Sequence, residues 1–160
     1  MGQVLLMAIE RWRLVIDNRP VVLIKPERET REHLLMKVLL FSLYRIGFSG
    51  LRMEVTGGKW VPDLIEGYDD RVAFWGEVGK FPEEKIRWVA KKYPNAYLVL
   101  AKWNVDLDSF QEVVSKTLSD IERNEQTVLY SFPSDSPERF VSPSGIVSIS
   151  FDNVPQRILP

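Results

Sequence analysis

Apolar and polar positions follow two periods along this chain. Trp12, Leu14 and Ile16 alternate with Arg11, Arg13 and Val15, the spacing of a half-buried strand. Asp17-Asn18-Arg19-Pro20 reads as a turn, and Val21 to Ile24 as a second strand. A helix is predicted from Glu27 to Arg45, stopped by Gly47. Leu51 to Val55 reads as a strand closed by Gly57-Gly58, and Lys59-Trp60-Val61 begins another that meets Pro62-Asp63. Asp69-Asp70 is a turn, and Arg71 to Gly79 a strand. Pro82 opens a helix with Glu83 and Glu84 in its first turn, ending near Lys92. Ala96 to Ala101 is continuously apolar, as a strand covered on both faces must be. Leu107, Phe110, Val114, Leu118 and Ile121 share one face of a further helix. Thr127 to Phe132 and Ile146 to Phe151 read as closing strands, separated by a loop rich in Pro and Ser. The order implies an α/β (α+β) fold: a mixed central sheet with helices packed on it.

The 160 residues, 45% hydrophobic and 27% charged, suit a single globular domain over 1–160. Cysteine is absent, which excludes disulfides, thiolate nucleophiles and Cys-ligated metals. His33 is the only histidine, so a multi-histidine metal site is excluded too. No apolar run reaches the length of a membrane span, and the expectation is a soluble cytoplasmic protein that does not enter a membrane. The net charge of −1 is unevenly spread: residues 1–59 sum to +4, 60–102 to 0 and 103–160 to −5. A basic front half can face phosphates, and Arg11, Arg13, Arg19, Lys25, Arg28 and Arg31 are candidates; solvated surface is an equal reading.

Three carboxylates stand in unusual places. Glu32 precedes Leu35, Met36, Leu39 and Leu43 by three, four, seven and eleven residues, in line with the apolar stripe of its helix. Such a carboxylate needs a partner or a metal unless it lies one turn before the core begins. Glu77 sits among small and apolar neighbours near the C-terminal end of its strand, where ligands of α/β proteins tend to bind. Asp63 follows Pro62 at the start of an extended segment and reads otherwise as a turn aspartate. With a tight turn between them, Asp63 and Glu77 can converge at one end of the sheet, and converging oxygens suit Mg²⁺ or Mn²⁺.

Pro62-Asp63 followed by Glu77-Val78-Gly79-Lys80 resembles the PD-(D/E)XK nuclease signature. More narrowly, the chain resembles the YaeQ family of that superfamily. Three blocks carry this: Glu29 to Leu40, Pro62-Asp63-Leu64, and Trp75 to Gly79 with Pro82-Glu83-Glu84-Lys85. The likeness covers roughly residues 9–103. It implies a restriction-endonuclease-like fold, Asp63 and Glu77 as ligands of Mg²⁺ or Mn²⁺, and Glu32 as the helix glutamate added to the site. The signature lysine two residues after the acid is Gly79 here, as in the family's E-x-G, and the family has no established activity. Lys80, on the opposite face by alternation, and Lys85, in the next helix, are the candidates to supply that charge.

Two functions follow. One is a metal-dependent phosphodiesterase acting on nucleic acid, with Glu32, Asp63, Glu77, Lys80 and Lys85 as its site. The other is a nuclease fold without catalysis that binds nucleic acid or a protein partner, with Trp60, Trp75 and Trp103 as a surface. An enzyme built on His33 and a hydroxyl ranks below both, because no nucleophile turn, P-loop or dinucleotide motif is present.

Overall fold

A computed structural model describes residues 10–54 and 60–159. Strands β1 (Glu10–Ile16) and β2 (Arg19–Lys25) form an antiparallel hairpin, joined by Asp17 and Asn18. Both turn residues have positive φ, 49° and 63°, the geometry that lets a two-residue turn follow the strand twist. Helix α1 spans Arg31–Tyr44. It starts later than Glu27, because Pro26 to Glu29 closes as a turn and the Thr30 hydroxyl caps the helix by accepting from the His33 N–H. Of the early acids, only Glu32 lies in its first turn.

The main sheet has six strands in sequence order. They are β3 (Arg52–Met53), β4 (Leu64–Tyr68), β5 (Arg71–Val78), β6 (Tyr97–Trp103), β7 (Thr127–Phe132) and β8 (Gln156–Leu159). The three central strands β5, β6 and β7 run parallel, and their outer neighbours run antiparallel. Helices α2 (Glu83–Lys92) and α3 (Leu107–Leu118) are the crossovers between the parallel strands. This is the mixed sheet flanked by helices that the pattern implies.

Two cores lie on the two faces. Helix α1 packs with Phe74, Val78, Val99, Val128, Tyr130 and the hairpin residues Leu14 and Ile16. Helices α2 and α3 pack with Ile65, Trp75, Leu98, Leu100 and Leu129. Helix α1 is therefore covered by sheet and hairpin, which is why Leu34 to Leu40 are buried without a break.

Three expectations are corrected. The segment from Ile146 is not a closing strand: Ile146 and Val147 make single bridges to Val15 and Val141, tying the hairpin to the rest. The strand that closes the sheet is β8, whose two exposed middle residues give it no apolar alternation. The Pro- and Ser-rich loop contains a short helix, α4 (Ser136–Phe140). The strand expected from Lys59 begins only at Leu64, after Pro62-Asp63; Val55 to Lys59 lie outside the described residues. No helix among the described residues is long and apolar enough to cross a membrane.

Candidate active site

Pro62 cannot donate to a sheet ladder, so Asp63 is the first residue to join β5. Its N–H donates to Gly76 O at 3.0 Å, and its Oδ2 accepts from Val78 N–H at 2.8 Å. Asp63 thus clasps β5 on both sides of Glu77. The ladder pairs Leu64 with Gly76 and Ile65 with Trp75, so the next step sets Asp63 opposite Glu77, on one face of the sheet.

Glu77 is 1% exposed. Lys85 Nζ, from the first turn of α2, lies 2.7 Å from Glu77 Oε2 and donates to Val61 O at 2.7 Å. The ion-pair contact is close but badly angled, and Oε2 receives no well-formed hydrogen bond; the buried Trp75 indole N–H is in the same condition. Burial first, and then the Asp63 charge, push the Glu77 carboxyl up to about 7 against the pull of Lys85.

Asp63 is neutralised differently. His33 Nε2 lies 3.4 Å from Asp63 Oδ1, and His33 Nδ1 lies 2.5 Å from Glu29 Oε2. The same Glu29 oxygen accepts from Lys37 Nζ at 3.1 Å, and buried Lys37 also donates to Glu54 O at 2.8 Å. Burial alone would lower the His33 pKa, but the bonds to Asp63 and Glu29 outweigh it and raise it to about 9. Burial likewise opposes ionisation of Glu29, and His33 and Lys37 overcome it to hold that carboxyl below its ordinary range.

Gly79 explains the missing lysine. Its φ of 80° is a left-handed conformation that side chains strain to adopt. A Cβ there would also meet His33 Cδ2 at 3.1 Å. The imidazole ring fills the space that a side chain at 79 would occupy.

A groove of about 960 Å³ opens at this end of the sheet, lined by Glu32, His33, Asp63, Lys80, Lys102 and Trp103 among others. Glu77 and Lys85 are not among the residues that line it. Glu32 is exposed on the groove wall and has no ion pair among the described residues, so the apolar stripe does not carry it inward. Lys80 is exposed on the same wall, while Lys85 is the lysine that reaches Glu77. Of the tryptophans, Trp75 is core, Trp60 stacks near Trp88, and Trp103 lines the groove. The basic candidates also separate: Lys25 is buried, Arg31 pairs with Glu10, and Arg28 lines the groove.

The geometry gives three parallel strands between antiparallel neighbours, helices on both faces, and an Asp and a Glu opposed at the sheet's end. The fold resembles that of YaeQ proteins. The YaeQ protein from Pseudomonas syringae superposes with a TM-score of 0.60 at 16% identity, over 89% of this chain and 80% of that one. YaeQ from Xanthomonas axonopodis pv. citri gives 0.57 at 16% identity, over 78% of this chain and 74% of that one. No protein-family model matches the sequence, and no curated protein does. At such identity the likeness to YaeQ is one of fold.

Several members of the site escape the sequence patterns above. His33 and Lys37 share one face of α1, and Glu29 stands four residues before His33, just ahead of the helix; that four-residue recurrence was legible. Lys102 closes an apolar central strand at the end where ligands bind, and its own signal was its position.

Among the described residues no three acids or histidines come close enough to share one ion. Asp63 and Glu77 still fit a divalent cation of the Mg²⁺ kind, which keeps several waters and needs only one or two carboxylates. The observation behind this fit is Glu77 itself, a buried carboxylate with a badly satisfied oxygen, raised first by burial and then by the charge of Asp63.

Proposed function

We propose that this protein is a metal-dependent phosphodiesterase of the PD-(D/E)XK kind acting on nucleic acid, with Asp63 and Glu77 as the ligands of Mg²⁺ or Mn²⁺. The observation that carries it is the opposition of these two carboxylates across β4 and β5, clasped by the Asp63 bonds to Gly76 and Val78. The cation, when bound, supplies charge stabilisation at a phosphoryl oxygen and a more acidic water. The chain's own residues do the rest. Asp63 is held by β5 so that its free oxygen faces His33 and the groove. Lys85 orients Glu77 from the first turn of α2, through its fixed bond to Val61 O. Glu32, on the groove wall, is placed to act through water and not as a direct ligand. Lys80 and Arg28, on the same groove, offer charge to a polyanion.

A second reading has its own observation. Each acid already has a cation beside it, His33 for Asp63 and Lys85 for Glu77, which suits a nuclease fold that binds nucleic acid or a protein partner without catalysis.

The test is cleavage of labelled single-stranded DNA, double-stranded DNA and RNA with Mg²⁺ or Mn²⁺, by wild type and Glu77→Gln side by side. Cleavage by wild type alone is expected. In parallel, Mn²⁺ raises the melting temperature of wild type and not of Glu77→Gln, since a ligand that binds only the native state stabilises it. Absence of both effects in wild type rejects the metal site and leaves the second reading.

A further inference from the structure

Among the described residues the groove has one cation that is neither exposed nor paired with a carboxylate. Lys102 is the sixth residue of β6. The parallel register sets Glu77 beside Leu100 and Val78 beside Ala101, so Lys102 lies beside Gly79. Its Nζ donates to Gly79 O at 3.1 Å, and the Gly79 N–H donates to Ala101 O at 2.9 Å. By alternation Lys102 shares its face with Leu98 and Leu100, the face of Trp75 and Glu77.

The stem of Lys102 crosses two aromatic rings. Nζ is 4.4 Å from the centre of Phe81 and 5.6 Å from that of Phe110. It lines both this groove and a second, more apolar cavity of about 380 Å³ between α2 and α3. Among the described residues Lys102 has no carboxylate partner, whereas Lys37 has Glu29 and Lys85 has Glu77. A half-buried ammonium held by one carbonyl and two ring faces keeps donors free for an anion.

The geometry points to Lys102 as the catalytic cation of this site: it contacts the scissile phosphate and stabilises its developing charge, in place of a side chain at residue 79. The inference rests on the phosphodiesterase reading and deepens it. Lys85 is unsuited to the role, because it does not line the groove and is engaged with Glu77 and Val61 O. His33 is clamped between two carboxylates. Lys80 is exposed, with no bond that fixes its ammonium. Lys102 is fixed at its tip against the backbone of residue 79. Burial, and next to it the Lys80 charge, also favour release of its proton, so an incoming anion gains more there than at a solvated lysine.

The test is single-turnover cleavage in Mn²⁺ by wild type, Lys102→Met and Lys102→Arg, with the Mn²⁺-dependent melting shift measured on each. Met fills the same space over Phe81 and Phe110 without the charge. The expected result is a loss of about 10²–10³ in rate for Lys102→Met, the usual effect of removing one charge-stabilising donor, with the Mn²⁺ shift retained and partial rescue by Lys102→Arg. Cleavage by Lys102→Met within about threefold of wild type overturns the inference and leaves the phosphodiesterase reading standing. Loss of the Mn²⁺ shift in both variants also overturns it, since Lys102 would then only support the metal site. Wild type that cleaves nothing rejects the phosphodiesterase reading and this inference with it. If Lys102→Met does not fold, Lys102→Gln replaces it under the same criteria.

Discussion

The two halves of the site neutralise a carboxylate in opposite ways. Glu77 is almost sealed and meets one lysine through a short, badly angled contact. Asp63 faces the groove and belongs to a chain of bonds running through His33 and Glu29 to Lys37. In the first half burial wins, and the carboxyl is held up near 7. In the second, hydrogen bonding wins over burial, and the imidazole is held up to about 9. A buried charge with one partner is poised to accept another cation, while a charge inside a network is already satisfied. The difference makes Glu77 the part of the site that a metal ion would relieve, and the His33 chain the part that fixes its shape.

Breaking the Glu77 half should have the largest effect. Lys85→Met leaves Glu77 without its cation, and breaking a buried pair by removing one partner costs about 3–5 kcal/mol. Without Lys85 the Glu77 carboxyl rises further in the folded state, so the extra loss grows only as pH climbs above about 7, where the wild-type carboxyl ionises. Urea unfolding should therefore show a small difference from wild type up to pH 7 and a loss that grows by about 1.4 kcal/mol for each pH unit above it, to about 3 kcal/mol near pH 9. The double variant Lys85→Met/Glu77→Gln should recover most of it. A single variant as stable as wild type at pH 9 would show that Lys85 does not compensate Glu77.

The His33 half should show up mainly as a change in pH dependence. A histidine raised from 6.5 to about 9 on folding adds stability that is complete below pH 6.5 and lost as pH rises through 9. Glu77, an acid raised from 4.5 to about 7, makes the folded state less stable as pH climbs from 4.5 to 7 and changes nothing above. The two halves thus act in consecutive windows with the same sign. His33→Gln should remove the upper window and cost about 2 kcal/mol at pH 6, and nearly nothing above pH 9. Glu77→Gln should remove the lower window only. Urea midpoints of both variants from pH 4.5 to 9.5 check this, and a His33→Gln variant with wild-type slope between pH 7 and 9 breaks the comparison.

Much of this frame is legible in the sequence because its strands and helices are strongly periodic. The hairpin, β5, α2, β6 and β7 follow from alternation, a continuous apolar run, and a Pro with two acids at a helix start. Asp63 and Glu77 are legible as a pair because a tight turn makes their strands neighbours. Three features are not. Strand β8 carries no apolar alternation, because the ladder of β7 holds it. Helix α1 reads as a stripe but is covered on nearly every side by sheet and hairpin, a fact of tertiary packing that periodicity does not encode. The charge pairings are also set in space, since Lys102 meets Gly79, and His33 meets Asp63, across strands or elements far apart in the chain.

Glu32 provides the smallest effect and sharpens the comparison from outside both halves. It shares the groove with Asp63 but joins neither the buried pair nor the bonded chain. An exposed acid without an ion pair contributes little to folding, so Glu32→Gln should change stability by less than about 0.5 kcal/mol. Its position in the first turn of α1 adds a small favourable term with the helix dipole, which the neutral amide forfeits. A carboxylate that meets the cation only through water should weaken Mn²⁺ binding modestly, where loss of Glu77 abolishes it. Titration of the melting temperature with Mn²⁺ therefore ranks the two glutamates. Wild type and Glu32→Gln should both shift, the variant needing several-fold more metal, and Glu77→Gln should not shift at all. If Glu32→Gln abolishes the shift as fully as Glu77→Gln does, Glu32 moves inward on metal binding to become a direct ligand, and the groove wall closes around the ion.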